Sequence, residues 1–288
     1  MTGSIELNHA LGTRGRGSAE AFQIHAFTSK LHGGNPAGVC ILDAWLDDAV
    51  LARIAGDFGP SVTAFVVQQQ DGPMPIRWFT RTGSEVMSFC GHATFAAAHA
   101  LKAGRDPQQG LAFESRSGRH QVGFIGDDLT LAIPRWDPEP VSEPPGWLAA
   151  VGGRPQQQLL GFRDAVLVYR DAAEIRALHP DFEALRQANA PAVIATAPGQ
   201  SEDAVFRFFC PSFPIGEDED LATGSALCTL TPYWGQRLAK SDLSVVQLSE
   251  RGGAFQARLD VDGVVLRSTC VTFLAGALQI DDSAPSLG

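Results

Sequence analysis

FCGHATFAAAHAL, residues 89–101, and ATGSALCTLTPYW, residues 222–234, decide how this chain is read. Each follows a strand-like run and a polar loop. Each opens on a glycine beside a hydrogen-bonding residue, His92 in one and Ser225 in the other. Each continues into small apolar positions that suit a buried helix. The repetition predicts a duplicated chain whose two halves aim a helix N-terminus at one shared cleft. A helix start carries unpaired N–H groups and a partial positive charge, so a facing pair suits a carboxylate or a developing enolate.

The segments around these two helices follow the same vocabulary. FQIHAFTS, VCIL, SVTAFVVQQ and PIRWFT read as strands, as do AVLVYR, AVIATAP and VFRFFC farther on. Asp47-Asp48 reads as the cap of a helix over AVLARIAGDF, which stops at Gly59-Pro60. Residues 136–147, WDPEPVSEPPGW, hold four prolines, which no helix interior or central strand accommodates. A boundary is therefore expected there. Residues 1–18 read as a loose arm and 19–136 as the first domain, with 137–145 as a proline-rich linker and 146–273 as the second domain.

Composition removes several classes of function. At 288 residues, 44% hydrophobic and 19% charged, the chain can bury a large interior. A formal net charge of −10 argues against nucleic acid or an anionic membrane as partner. The Arg251-Gly252-Gly253 triplet is then a turn. No run approaches the roughly 20 apolar residues of a membrane span, and the N-terminus lacks the apolar centre of a secretory signal. The cysteines, Cys40, Cys90, Cys210, Cys228 and Cys270, are odd in number and include no CxxC pair. That pattern fits a reducing cytoplasm better than a disulfide framework or a zinc site. With no HExxH and no histidine pair at i, i+4, no catalytic metal is expected.

Among chemistry-bearing residues, His92 lies in the first turn of its helix, where the dipole favours a neutral ring. His99, two turns on, reads as a packed core residue. Cys90 borders the same turn, and a helix start lowers a thiol pKa. GEDED, residues 216–220, precedes the second helix. Asp220 is nearest the ATGS turn and is expected in the cleft, with Asp218 and Glu219 facing water.

Taken in order, FTSKLHGGNPAGVCIL, SVTAF, FCGHATFAAAHAL, EDEDLATGSALCTLTPYW and QLSERGG resemble the motifs of the phenazine-biosynthesis isomerase-like (PhzF) family, which is related in fold to diaminopimelate epimerase. The resemblance runs from Phe22 to Leu278. It implies an α+β fold of two similar domains, each a curled mixed sheet around a central helix, with a cofactor-free active-site cleft between them. The C-terminal strand, from about 274 to 288, would return to the first domain. It implies His92 and Asp220 as the catalytic pair, and Gly91, Gly224 and Ser225 as substrate-binding. Asn35 of the GGNP loop, Val62 and Cys90 complete that substrate-binding set. A homodimer is the family's expected assembly.

One departure outweighs the agreements. The family's S-E-T-x-F motif carries a proton-shuttling glutamate, whereas this chain reads Ser61-Val62-Thr63-Ala64-Phe65. A valine moves no proton, and such acid/base help is worth roughly 10²–10⁴ in rate. SEVMSFCGH also holds one residue more than the usual spacing, and Leu227 stands where many members have histidine. The resemblance with this loss implies a cofactor-independent enzyme of small-molecule (secondary-metabolite) biosynthesis, using acid/base chemistry on an anionic or carbonyl-containing intermediate. Cyclisation, elimination or rearrangement is the expected outcome. The alternatives are a proton-shift isomerase or epimerase using His92 or Asp220, an enzyme using the Cys90 thiol, and a non-catalytic small-acid binder.

Overall fold

The computed structural model describes residues 17–69, 71–103, 109–213 and 216–281. Most of the expected N-terminal arm lies outside them, as does the chain beyond 281. The first half runs β1 (Ser18–Ala26), β2 (Asn35–Leu42), α1 (Asp48–Phe58), β3 (Val62–Val67), β4 (Met74–Thr80), α2 (Gly91–Leu101), β5 (Leu111–Ser115), β6 (Gly118–Ile125) and β7 (Asp128–Ile133). The second half opens with β8 (Glu139–Pro140), α3 (Leu148–Val151), β9 (Gln157–Leu160), β10 (Asp164–Val168), α4 (Ala172–Arg176), α5 (Phe182–Gln187), β11 (Ala192–Pro198) and β12 (Ala204–Phe209). A short 3₁₀ turn, Gly224–Ala226, leads into α6 (Leu227–Leu238). Then come β13 (Asp242–Gln247), β14 (Gly253–Leu259), β15 (Val264–Ser268) and β16 (Cys270–Gln279).

The duplication is written in the sheet. Strands follow one another in the order β16-β1-β2-β3-β4-β5-β6-β7-β15-β14-β13-β12-β11-β10-β9-β8. From β16 to β7 the pairings are antiparallel, antiparallel, parallel, antiparallel, parallel, antiparallel, antiparallel. From β8 to β15 the same series recurs in the same sequence. The halves meet where β7 pairs with β15. β16 crosses back to β1, and its pairing begins at Cys270↔Ala26, a few residues ahead of the 274 boundary.

Each half curls around one helix. In α2, Ala93 through Ala98 are all buried, so the sheet approaches the helix on nearly every side. Four of the helix's five alanines are buried there and make the approach possible, since small side chains leave room for the facing strands. α6 occupies the equivalent place and contains Pro232, which cannot donate to the carbonyl four residues back. That carbonyl, on Cys228, accepts instead from the Trp136 N–H at 2.9 Å, so the proline gap anchors the interdomain connection. The proline-rich stretch itself supplies β8, the terminal strand of the order, where missing N–H donors are tolerated.

Two local expectations are corrected. Asp47 makes no side-chain cap on α1, and Asp48 instead pairs with Arg77 Nη1 at 2.8 Å. β2 starts at Asn35, inside the GGNP loop, because that loop is pinned from the other half. Arg251 donates through Nε to the Gly34 carbonyl and through Nη2 to the Gly33 carbonyl, at 2.9 and 3.0 Å. The Arg-Gly-Gly turn is thus an interdomain clasp.

Candidate active site

A cleft of about 400 Å³ opens where the starts of α2 and of the Gly224–Ala226 turn face each other. The two starts have nearly the same backbone: Cys90 sits at φ −114°, ψ 96° and Thr223 at φ −117°, ψ 93°. Neither is capped by a side chain. Cys90-Gly91-His92 and Thr223-Gly224-Ser225 are therefore equivalent turns. All six residues line the cleft, and His92 comes from one half while Asp220 comes from the other.

Asp220 is held on every side. Its Oδ1 accepts from Asn35 Nδ2 at 2.7 Å and its Oδ2 from Thr223 Oγ1 at 2.6 Å. Gln247 fixes the backbone around it, donating to the Asp220 carbonyl at 2.5 Å and accepting from the Thr223 N–H at 2.6 Å. Burial of the carboxyl raises its pKa to about 6, against the lowering effect of its Thr223 and Asn35 bonds. A group poised there accepts and returns protons near neutral pH.

His92 is neutral over the same range, because desolvation lowers its pKa to about 4. Its Nδ1 lies 3.7 Å from Cys90 Sγ, and its buried Nε2 has no hydrogen-bond partner among the described residues. Buried and unpaired, that nitrogen leaves an unmet hydrogen bond inside the wall of the cleft. Cys90 does not behave as its helix-start position suggested. Burial pushes the thiol up to about 12, with the Asp220 carboxylate adding to the effect, so no thiolate is available at neutral pH.

Val62 lines the cleft and is only 1% exposed, so an aliphatic wall stands where the family motif places a carboxylate. Glu85 does not fill that place, although it too borders the cleft. Its two oxygens accept from Arg77 Nε and Nη2 at 2.7 and 2.8 Å. Arg77 pairs across the sheet with Phe65, which packs in the cluster under α1, whereas Val62 packs in the cluster around α2. The Glu85 carboxylate is thus drawn to the opposite face of the sheet.

The remaining candidates divide. Ser225 lines the cleft and accepts from Arg163 Nη2 at 3.0 Å. Asn35 is not on the cleft wall; it is 1% exposed and stands behind Asp220, bonding also to the Ala222 carbonyl at 2.9 Å. Its expected substrate contact is replaced by a contact to the acid. Gly224 borders the cleft, but a Cβ there would lie 2.8 Å from Phe27 Cζ and 3.0 Å from Leu266 Cδ2, so close packing alone requires glycine. At Gly91 a Cβ would meet only Phe89, at 3.5 Å.

Glu219, expected in water, forms a half-buried pair with Arg207 at 2.6 Å, and Asp218 pairs with Arg186. Arg81 of the first half reaches Glu217 at 3.4 Å and the Gly216 carbonyl at 3.3 Å, tying the acidic loop across the cleft. His99 bonds Thr272 through Nε2 at 3.1 Å, away from the cleft. Arg163, on the cleft wall, was missed by the sequence reading, because an arginine in Gly-Phe-Arg-Asp reads as part of an exposed turn.

Two eight-stranded halves, each wrapped on a helix whose uncapped start faces a common cleft, define the epimerase-like class of two-domain α+β proteins. A hydroxyproline epimerase from Agrobacterium vitis shares this fold at 12% identity, with a TM-score of 0.52 over 93% of this chain and 94% of that one. Closer matches narrow the class. A PhzF-family phenazine biosynthesis protein from Enterococcus faecalis is 35% identical, with a TM-score of 0.85 over 91% of this chain and all of that one. An uncharacterized isomerase from Pseudomonas aeruginosa is 41% identical over 263 residues, 91% of this chain and 98% of the relative. The family model described as phenazine biosynthesis-like protein matches residues 24–276. The chain belongs to that family, as its ordered motifs implied.

Proposed function

We propose that this protein is a cofactor-independent, isomerase-like enzyme acting on a small anionic or carbonyl-containing metabolite, with Asp220 as its proton-transfer group. The observation that carries the reading is the Asp220 carboxylate, fixed by Asn35 and Thr223 and raised to a pKa of about 6 on the wall of the cleft. The deprotonated carboxylate removes a proton from carbon, and the C–H electron pair moves into a conjugated enolate-like system. The uncapped starts at Gly91 and Gly224 offer N–H groups to the charge that develops. Neutral His92, whose Nε2 is unpaired but buried, hydrogen-bonds the same oxygen or the departing group once its ring turns toward the cleft.

With Val62 in place of a glutamate, the step that follows is the point of divergence. We infer that it is cyclisation, elimination or rearrangement in small-molecule biosynthesis. A second reading, supported by the naming of the Pseudomonas relative as an isomerase, has protonated Asp220 return its proton to another carbon of the substrate. Turnover in D₂O separates the two: return to carbon delivers deuterium to a carbon-bound position of the product. Asp220→Asn is expected to abolish turnover in either case. Full turnover by that variant would sink the catalytic assignment of Asp220, whereas small-acid binding without any turnover by the wild type would favour a binding protein.

The family resemblance also carries a homodimer, which sedimentation would read directly. Five cysteines free of disulfides suit a cytoplasmic setting. No helix among the described residues is long and apolar enough to cross a membrane.

A further inference from the structure

The proline-rich connection and the turn at residues 161–163 border a second groove, of about 500 Å³, which shares no lining residue with the cleft. Its wall carries the side chains of Trp136, Pro140, Val141, Leu160 and Phe162. Phe162 is 81% exposed and Leu160 51%. Apolar side chains scattered singly over a surface are ordinary, but several converging on one groove mark a contact surface.

The groove is preformed. The Trp136 N–H donates to the Cys228 carbonyl at 2.9 Å, and the indole lies 5.6 Å from the Arg163 guanidinium on one contact and 5.3 Å from the Phe162 ring on another. Opposite it, β8 is held on β9 by the Glu139↔Leu160 pairing and by the Val141 N–H, which donates to the Gln158 carbonyl at 3.1 Å. The turn that presents Phe162 is closed by the Gly161 N–H on the Asp164 carbonyl at 2.8 Å. Ordering these walls therefore costs an incoming molecule little.

Charge selects the occupant. Two acids line the groove, and no lysine or arginine does. Asp137 is already neutralised, since both its oxygens accept from Arg135 at 2.7–3.1 Å. Glu139 is exposed and its carboxylate meets no cation among the described residues. One uncompensated negative charge beside aromatic rings suits a single positive charge on a flat apolar body. A second copy of the chain would bring a second such acid to the same place. A peptide strand would find little to pair with, because β8 is two residues long and Pro140 has no N–H to give.

We propose that this groove is a second ligand site, and that it takes a small aromatic amine. The ring system lies against Phe162 and Trp136, and the ammonium sits on Glu139. The site stands apart from the chemistry of the cleft.

Equilibrium titration of the full-length protein at pH 7 with tryptamine, and with its neutral isostere tryptophol, tests the assignment. Saturable tryptamine binding, about three- to tenfold tighter than tryptophol and weaker at high salt, is expected for the wild type. Glu139→Gln should bring the two ligands to equal affinity. Phe162→Ala should weaken both by about fivefold or more. Both substitutions fall on exposed side chains, so the fold should be unaffected. Asp220→Asn should leave tryptamine binding as it is; loss of binding there would place the amine in the cleft and overturn the proposal. No saturable binding, a preference that survives Glu139→Gln, or affinities untouched by Phe162→Ala would overturn it equally. Sedimentation of Phe162→Ala should match the wild type, and a changed oligomeric state would make the groove a contact between copies instead.

Discussion

Asn35 and Asp220, 185 residues apart in the chain, meet across the interdomain boundary at 2.7 Å, and the amide that donates to the carboxylate also donates to the Ala222 carbonyl. A residue of the first half therefore sets the orientation and proton affinity of the acid in the second. The Asn35 bond lowers a pKa that burial raises. Asn35→Ala should shift the Asp220 ionisation upward from about 6 and reduce turnover about tenfold or more. It should also cost roughly 1–3 kcal/mol of stability by leaving buried acceptors unpaired. The pH–rate profile is the decisive measurement: a purely structural role for Asn35 would lower Tm and leave the profile in place.

The wild-type profile has a definite sign. Below about pH 6 Asp220 is protonated and accepts no proton, so kcat/KM should rise with pH through about 6. His92, neutral above about 4, should add no inflection in that range. Activity that falls with rising pH through 6 would instead make Asp220 the general acid.

The same ionisation is linked to folding. Asp220 binds its proton more tightly in the folded chain than in the unfolded one, so this residue's contribution to stability falls as pH rises from about 4 through 6. Asp220→Asn, which removes the buried charge and keeps the shape, should gain about 1–2 kcal/mol at pH 7, one pKa unit being about 1.4 kcal/mol. Urea unfolding at pH 4.5 and pH 7 would show the gain at the higher pH only.

Val62→Glu restores the carboxylate of the family motif at a buried position. Destabilisation of about 2–4 kcal/mol is expected, because the wall around residue 62 is apolar. If divergence came through this residue, the variant should exchange the carbon-bound hydrogens of a dienoic acid with D₂O and the wild type should not. Exchange by both at equal rates would assign the proton shift to groups already present.

The paired glycines should separate. Gly224→Ala places a methyl 2.8 Å from Phe27 Cζ and should lower stability by about 1–3 kcal/mol. Gly91→Ala meets only Phe89 at 3.5 Å and should leave Tm nearly unchanged. Thermal melts of the two variants check both statements.

The duplication, the family and the convergence of His92, Asp220 and Ser225 on one cleft were legible because local signals carried them: glycine at two helix starts, small residues after each, and an acid just before the second. What escaped depended on contacts between distant residues. The family motif assigns Asn35 to the substrate, and only the packed second half shows its amide turned to Asp220 instead. The Cys90 thiol is subject to two opposing effects, a helix start and burial, and only the packed structure shows that burial wins. Gly224 needs Phe27 and Leu266, both far away in sequence. Arg163 carries no motif at all, and its partner Asp164 is simply the next residue.

The return of β16 to β1 has a consequence for how the chain is made. β1 leaves the ribosome first, yet its outer neighbour is drawn from residues 270–279. Throughout synthesis of the second half, the first sheet carries an unsealed margin of free peptide groups beside apolar side chains. Closing it joins segments some 250 residues apart, which is slow in chains governed by long-range pairing. A nascent chain stalled after β15 would therefore leave its first half an adhesive intermediate, and the arrival of β16 is the event that seals that margin.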